Sequence, residues 1–126
     1  AKAGIYPIDQ VEKLSLARRK RFFHRGTGSN AGKARVADEL RNSIYFFQQN
    51  LLAPQYSLEP GLDIVFCRNV MIYFDKPTQE IILNRIVKLI KPNGWYVVGH
   101  SENFNHLTAI MRARGRTIYQ INEKQI

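Results

Sequence analysis

Short apolar runs that stop at polar side chains recur in the second half of this chain. Residues 63–67, Asp-Ile-Val-Phe-Cys, predict a buried strand, and the pair Arg68 and Asn69 follows it with no turn residue between. Residues 95–99 predict another strand, which is followed by His-Ser-Glu-Asn at 100–103. In an open α/β sheet, ligands generally bind outside the carboxyl ends of the strands. The two polar strand ends therefore indicate a ligand site.

A helical pattern separates these two strands. Residues 75–80 carry the Asp and Pro that are typical of a helix start, and apolar residues at helical spacing follow them. Pro-Asn-Gly at 92–94 predicts the end of that helix. Residues 110–113 and 117–121 predict a hairpin. Strand, helix, strand and hairpin in this order predict an α/β fold with an antiparallel edge.

The first third of the chain has a different pattern. Residues 1–6 predict the tail of a helix, and a rough helical stripe runs over residues 7–23. The glycine-rich segment 26–32 predicts a turn between two short strands that pair as a hairpin. A phosphate-binding loop is disfavoured there because the segment follows a helix and not a buried strand. Residues 43–48, which are rich in aromatic side chains, predict a further strand that ends just before Asn50.

Composition excludes several classes of protein. With 126 residues and 44% hydrophobic residues, the chain is one globular domain or part of one. No apolar run reaches the roughly 20 residues of a membrane helix, so we expect no membrane insertion and a cytoplasmic protein. The single cysteine, Cys67, lies inside the strongest strand and is interpreted as a buried thiol without a catalytic role. The isolated His24 and His106 do not indicate a metal site.

The net charge of +9 indicates an acidic partner. The densest basic block is residues 18–21, and Arg112, Arg114 and Arg116 form a second group. Two other interpretations stay open: a solvated basic helix face, and nucleic acid. Nucleic acid is disfavoured because Phe22 and Phe23 follow the basic block and do not alternate with it as stacking residues would.

Four segments together resemble a known family: 66–74 (Phe-Cys-Arg-Asn-Val-Met-Ile-Tyr-Phe), 91–94 (Lys-Pro-Asn-Gly), 99–103 (Gly-His-Ser-Glu-Asn) and 114–119 (Arg-Gly-Arg-Thr-Ile-Tyr). The chain resembles the C-terminal portion of the CheR chemotaxis receptor methyltransferases over essentially its whole length. That resemblance implies S-adenosylmethionine as cofactor, S-adenosylhomocysteine as product, and methylation of glutamate side chains on the cytoplasmic helices of chemoreceptors in signal transduction. It also implies a doubly wound α/β methyltransferase fold, incomplete here, with a small antiparallel β-subdomain and a C-terminal β-hairpin.

The resemblance also implies roles for particular residues. Asn50 and Leu51 match positions that hold the adenosine part of the cofactor, and Arg68 and Asn69 match a second set of cofactor contacts. Tyr73 matches a tyrosine near the methyl-transfer centre. On the residues alone, Arg68 could instead be a surface ion-pair partner and Tyr73 a core aromatic residue. Residues 100–103 are interpreted as a structural network that caps the strand end.

Within residues 1–126, the resemblance assigns 23–42 to the β-subdomain, which in some members binds a peptide at the receptor's C-terminus. Its candidate receptor-peptide-binding residues are Arg25, Gly26, Gly28 and Arg35. A non-catalytic basic module that binds an acidic receptor segment or nucleic acid is the alternative function.

The chain departs from the family pattern because it has no glycine-rich loop after a first strand and no acidic residue at the end of a second strand. The N-terminal helical domain and the glycine-loop half are therefore expected to be absent, which leaves a gap in the sheet beside the strand at 43–48. We expect a fragment that self-associates through exposed strand edges and binds S-adenosylhomocysteine weakly.

Overall fold

The computed structural model describes residues 1–123 of the chain. These residues form two compact units that divide between Gln48 and Gln49. Each unit has its own sheet.

The first unit is a three-stranded antiparallel sheet with short helices. Its elements in chain order are β1 (Ile5–Pro7), α1 (Ile8–Val11), α2 (Leu16–Phe22), β2 (Phe23–Arg25), a 3₁₀ turn (Gly28–Asn30), β3 (Lys33–Val36) and α3 (Asp38–Asn42). The strand order is β1-β3-β2, so β2 lies at an edge. Val11, Ala34 and Val36 are the buried apolar residues of this unit. The predicted hairpin of β2 and β3 is confirmed by the pairing of Arg25 with Ala34.

Two predictions for this unit are wrong. Ile5–Pro7 is a strand and not the tail of a helix, because Gly4 adopts a left-handed φ of +64° and the chain then pairs with β3. The stripe over residues 7–23 is two helices and not one. Ser15 starts the second, since its side chain accepts a hydrogen bond from the Arg18 backbone N–H at 3.4 Å, as N-cap residues do.

The strand predicted at 43–48 is not formed. Residues 44–48 have no regular structure, and Tyr45 is 82% exposed while its ring stacks on Phe47 with centroids 5.4 Å apart. A strand needs a hydrogen-bonded neighbour, and no strand among the described residues pairs with this segment. Apolar composition alone therefore did not produce a strand here.

The second unit is a four-stranded mixed sheet with one long helix. Its elements are β4 (Leu62–Cys67), a 3₁₀ turn (Met71–Tyr73), α4 (Lys76–Leu89), β5 (Ile90–Val98), β6 (Met111–Ala113) and β7 (Ile118–Ile121). The strand order is β4-β5-β7-β6, with β4 and β5 parallel and the other pairs antiparallel. The predicted strand, helix, strand and hairpin are confirmed. The coarse α/β class is correct, and the doubly wound arrangement stays a prediction.

Helix α4 begins where the sequence predicts. Asp75 caps its first turn by accepting a hydrogen bond from the Thr78 backbone N–H at 3.0 Å. Hydrogen bonding from the Thr78 side chain, and then from its backbone N–H, lowers the pKa of the Asp75 carboxyl. Ile82, Leu83 and Ile86 form its buried face. They belong to the same core cluster as Cys67, Tyr96, Val98 and Tyr119 of the sheet.

The predicted start of β5 is wrong by five residues. The strand begins at Ile90, directly after α4, and not at Trp95. Residue 90 pairs with Leu62, but the next pair is Ile64 with Trp95, so residues 91–94 form an irregularity in the ladder. Asn93 has a left-handed φ of 60° within it. The helix has already ended at Leu89, so Pro-Asn-Gly at 92–94 lies inside β5 and shapes that strand, and the prediction that it ends the helix is wrong.

Candidate functional site

The carboxyl ends of β4 and β5 meet at one edge of the second sheet, as the sequence predicts. These strands are parallel, and Cys67 pairs with Val98 at their last positions. Arg68 and Asn69 therefore leave the sheet beside Gly99, and both side chains are exposed. The two polar segments that follow the strands are neighbours in space, which is the arrangement of a crevice at the edge of an α/β sheet.

The buried carboxylate of Glu102 joins these two segments. Only 6% of Glu102 is exposed, and its oxygens accept hydrogen bonds from the backbone N–H groups of Gly99 at 2.6 Å, Met71 at 2.9 Å and Asn69 at 3.3 Å. Bonds of backbone N–H groups to an ionised acceptor are stronger than neutral ones. The structural network predicted for residues 100–103 is confirmed at this residue. The polar run marked the segment, but nothing in the sequence indicated that Glu102 binds the end of the other strand.

Gly99 has no room for a side chain. A Cβ atom at this position would lie 2.3 Å from Asn69 Oδ1 and 3.0 Å from Glu102 Oε2. Asn69 itself has a φ of 59°, in the left-handed region that asparagine tolerates better than most residues. The polar turn after β4 and the glycine after β5 are therefore packed against each other.

Arg68 and Tyr73 are presented to solvent. Arg68 forms no ion pair with any residue in the described range 1–123, so the ion-pair interpretation has no support. Tyr73 is 80% exposed, and the interpretation as a core aromatic residue is wrong. The turn that carries Tyr73 is held in place by α4, because Gln79 Nε2 donates to the Met71 carbonyl at 2.8 Å and to the Phe74 carbonyl at 2.9 Å. Both Arg68 and Tyr73 therefore present their side chains to solvent on a fixed backbone.

Asn50 and Leu51 lie in a tight turn at the start of the second unit. Asn50 Oδ1 accepts a hydrogen bond from the Leu52 N–H at 2.9 Å, and the Leu51 carbonyl accepts one from the Tyr56 hydroxyl at 2.7 Å. Leu51 also packs against the core cluster. Arg85 of α4 donates to the Leu52 carbonyl at 3.0 Å. The turn is thus fixed to the helix, and no hydrogen bond within residues 1–123 joins Asn50 to Arg68 or Asn69.

Cys67 is a buried thiol, as predicted. Burial raises the pKa of this thiol, and burial is also the main cause that raises the pKa of the neighbouring Tyr96 hydroxyl. The thiolate is the nucleophilic form of cysteine, and burial disfavours it.

The first unit has a separate basic cavity of about 340 Å³. Arg25, Gly26 and Arg35 line it together with His24 and Lys33. Three of the four predicted peptide-binding residues therefore share one cavity, while Gly28 is not among the lining residues. Gly28 is instead part of the turn and has a left-handed φ of 57°.

Gly26 is fixed by its surroundings. A Cβ atom there would lie 2.1 Å from the Asn30 carbonyl oxygen. Its backbone N–H donates to the Lys33 carbonyl at 2.8 Å. This contact closes the turn that holds the basic side chains around the cavity.

Two further observations bound the chemistry of the described residues. Over residues 1–123, no three His, Cys, Asp or Glu side chains lie close enough together to hold a metal ion. Within the same range, no helix has the length and apolar character needed to cross a membrane.

The parallel strand pair, its joined polar ends and the antiparallel edge define an α/β domain with polar groups at the carboxyl ends of its parallel strands. Residues 1–119 match the family described as CheR methyltransferase, SAM binding domain. The chain belongs to this family, whose methyl donor is S-adenosylmethionine. The family resemblance seen in the sequence motifs is confirmed.

Three curated relatives carry the same kind of name. The chain is 52% identical to chemotaxis protein methyltransferase 2 of Pseudomonas aeruginosa over 119 residues, which are 94% of this chain and 42% of that protein. It is 47% identical to the chemotaxis protein methyltransferase of Salmonella typhimurium and 46% identical to that of Escherichia coli. Each of those two matches covers 98% of this chain and 43% of the relative. The chain thus spans less than half the length of these relatives.

Proposed function

We propose that the protein containing this chain methylates glutamate side chains on the cytoplasmic helices of chemoreceptors, with S-adenosylmethionine as donor. The family match over residues 1–119 carries this proposal. The geometry supports it, since the strand ends present Arg68, Asn69 and Tyr73 on a framework fixed by Glu102.

The residues available here fit the binding of such a cofactor. Arg68 offers an exposed cation for an anionic group, and the exposed Asn50 offers an amide for the ribose or adenine edge. The Asn69 backbone is held by its N–H bond to Glu102, and the side-chain Oδ1 packs against Gly99, so the residue offers its side-chain amide from a fixed backbone. Leu51 contributes an apolar wall that continues into the core.

The reaction requires few catalytic side chains. When bound, S-adenosylmethionine supplies an electrophilic methyl group. A glutamate carboxylate has a reference pKa of about 4.3 and is already an ionised nucleophile at neutral pH. Tyr73 then has a positioning task, in which its exposed hydroxyl orients the incoming carboxylate. A catalytic base is not required.

Two variants of the full-length protein test this assignment. We expect Arg68→Gln to weaken S-adenosylhomocysteine binding roughly tenfold by calorimetry, because it removes the cation at the strand end. Tyr73→Phe should leave that affinity unchanged and lower kcat for transfer of labelled methyl groups to a receptor fragment. Lys88→Gln, at an exposed position near the end of α4, is the charge-matched control. If Arg68→Gln matched this control in cofactor affinity, the assignment of Arg68 would be wrong.

We also propose that the first unit binds the C-terminal peptide of a receptor. Residues 1–48 contain ten Lys and Arg and four Asp and Glu, a formal net charge of +6, which suits an acidic peptide. The cavity lined by Arg25 and Arg35 lies beside the edge strand β2. The Gly26 N–H and the Phe22 carbonyl both form hydrogen bonds toward β3. Backbone groups along an antiparallel strand alternate in direction, so the N–H and carbonyl of Arg25 point away from the sheet. An extended peptide can add to such an edge.

Fluorescence anisotropy separates this proposal from the nucleic-acid alternative. We expect an acidic receptor peptide to bind, and Arg35→Gln to weaken binding roughly fivefold. Arg18→Gln in α2 removes the same charge outside the cavity and serves as control. Tighter binding of a duplex oligonucleotide, with a steep salt dependence, would instead favour a nucleic-acid module.

A further inference from the structure

A second polar pocket lies beside the strand-end site and has no role so far. Its volume is about 430 Å³, and its lining includes His100, Ser101, Glu102, Asn103, Asn105 and Arg116. Glu102 also binds the backbone N–H of Asn69, so the pocket adjoins the edge where β4 ends. A ligand group held here lies next to the proposed methyl-transfer site.

The wall of this pocket is ordered by internal hydrogen bonds. The buried Tyr119 hydroxyl accepts a bond from the Phe104 N–H at 3.0 Å and donates to Asn105 Oδ1 at 3.1 Å. Asn103 Oδ1 accepts a bond from the Asn105 N–H at 2.8 Å. The segment between β5 and β6 therefore has a defined shape before any ligand arrives.

These bonds decide which groups the pocket presents. The side-chain oxygens of Asn103 and Asn105 are engaged as acceptors, so their NH₂ groups are the polar atoms left for a ligand. The oxygens of Glu102 are engaged by three backbone N–H groups. The pocket thus offers amide donors and no free carboxylate among its lining residues.

Arg116 adds a positive charge to these donors. Its side chain is exposed, and no carboxylate within residues 1–123 forms an ion pair with it. A guanidinium with neighbouring amide donors matches the planar, acceptor-only geometry of a carboxylate. The chemistry of the pocket therefore points to an anionic, carboxylate-bearing ligand.

We propose that this pocket binds an acidic side chain of the polypeptide substrate, one that flanks the glutamate to be methylated. This inference rests on the proposed methyltransferase function and adds a specificity determinant to it. The flanking carboxylate bonds to Arg116 and to the amide donors, which places the neighbouring glutamate at the strand-end site. The amino-acid part of the cofactor also carries a carboxylate, and it is the competing ligand for this pocket.

The test uses the full-length protein and two versions of a chemoreceptor cytoplasmic fragment. In one version the residues flanking a methylatable glutamate are acidic, and in the other they are glutamine. We expect Arg116→Gln to lower kcat/KM for the acidic version roughly fivefold and to leave the glutamine version unchanged. Arg116→Lys should restore part of the preference, since it keeps the charge but not the planar fork.

Arg114→Gln is the matched control, because it removes the same charge from the same hairpin turn outside the pocket. Equal effects of Arg116→Gln and Arg114→Gln on both fragments would overturn the proposal. Loss of S-adenosylhomocysteine affinity in Arg116→Gln would overturn it as well and assign the pocket to the cofactor. Arg116-dependent binding of the acidic fragment in anisotropy, without any methyl transfer, would support the pocket and refute the proposed function.

Discussion

At the scale of single residues, Glu102 has the largest structural role at the site. One carboxylate accepts three backbone N–H groups: two from the segment after β4, at Asn69 and Met71, which are 33 and 31 residues away, and one from Gly99, which is three residues away. These donors are buried or partly buried and would otherwise lack partners, and an unmet buried donor is costly. The sequence showed that a polar run follows β5, but the partner of each side chain in that run depends on the pairing of β4 with β5.

Replacement of Glu102 by Ala should therefore loosen both strand ends. We expect the free energy of unfolding to fall by roughly 3 kcal/mol, since several buried donors lose their acceptor. Glu102→Gln keeps one acceptor oxygen and should cost less. Hydrogen exchange at the Met71 and Gly99 amides should accelerate in both variants. Glu59→Ala, at an exposed position, is the control, and unchanged exchange in Glu102→Ala would contradict this role.

At the scale of elements, local patterns predicted those parts of the fold that are stabilised locally. Helix α4 has its N-cap, its proline and its apolar face within the segment itself, and the prediction of its start is correct. The segment 44–48 has a higher apolar content but no neighbouring strand among the described residues, and the prediction fails. The early start of β5 was missed because Leu62, a residue distant in sequence, pairs with Ile90.

The candidate site could be predicted in position but not in structure. Arg68, Asn69 and Tyr73 were found because polar side chains follow an apolar strand and match a family motif. Their roles as ligand contacts stay predictions. The shape of the Arg116 pocket was not foreseen, because it depends on where the β6 and β7 hairpin returns beside β5.

Adjacent isoleucines on α4 give a direct test of its packing. Ile82 is fully buried in the core cluster, whereas Ile81 is 51% exposed. We expect Ile82→Ala to lower the free energy of unfolding by roughly 3 kcal/mol, because it leaves a cavity against the sheet. Ile81→Ala should cost less than about 1 kcal/mol. Equal costs in chemical denaturation would mean that the helix packs through a different face.

At the scale of the whole molecule, the second sheet is covered by α4 on one face, and its other face is apolar and open. Ile64 is 50% exposed and Phe66 is 69% exposed on β4, which is also an edge strand. Ile118 of β7, 41% exposed, pairs with Val97 and continues the same face. Contiguous apolar surface of this kind, beside an unpaired edge, favours association with another surface.

We therefore expect the 126-residue chain to self-associate at micromolar concentration, as measured by size-exclusion chromatography with light scattering. Phe66→Lys should shift it toward monomer, because a charge cannot be buried in an apolar contact without a partner. Ile81→Lys, on the exposed side of α4, should leave the association unchanged. A clean monomer with a cooperative melt in the unmodified chain would show that the open face does not drive association.

The open face also contains a built-in optical reporter. Trp95 is the single tryptophan of the chain, is partly buried, and pairs with Ile64 across β4 and β5. Its indole ring therefore changes its contact with water whenever another surface covers this side of the sheet. The emission wavelength of the unlabelled protein should shift to the blue on such contact, and every binding or association step on that face can be followed without a dye.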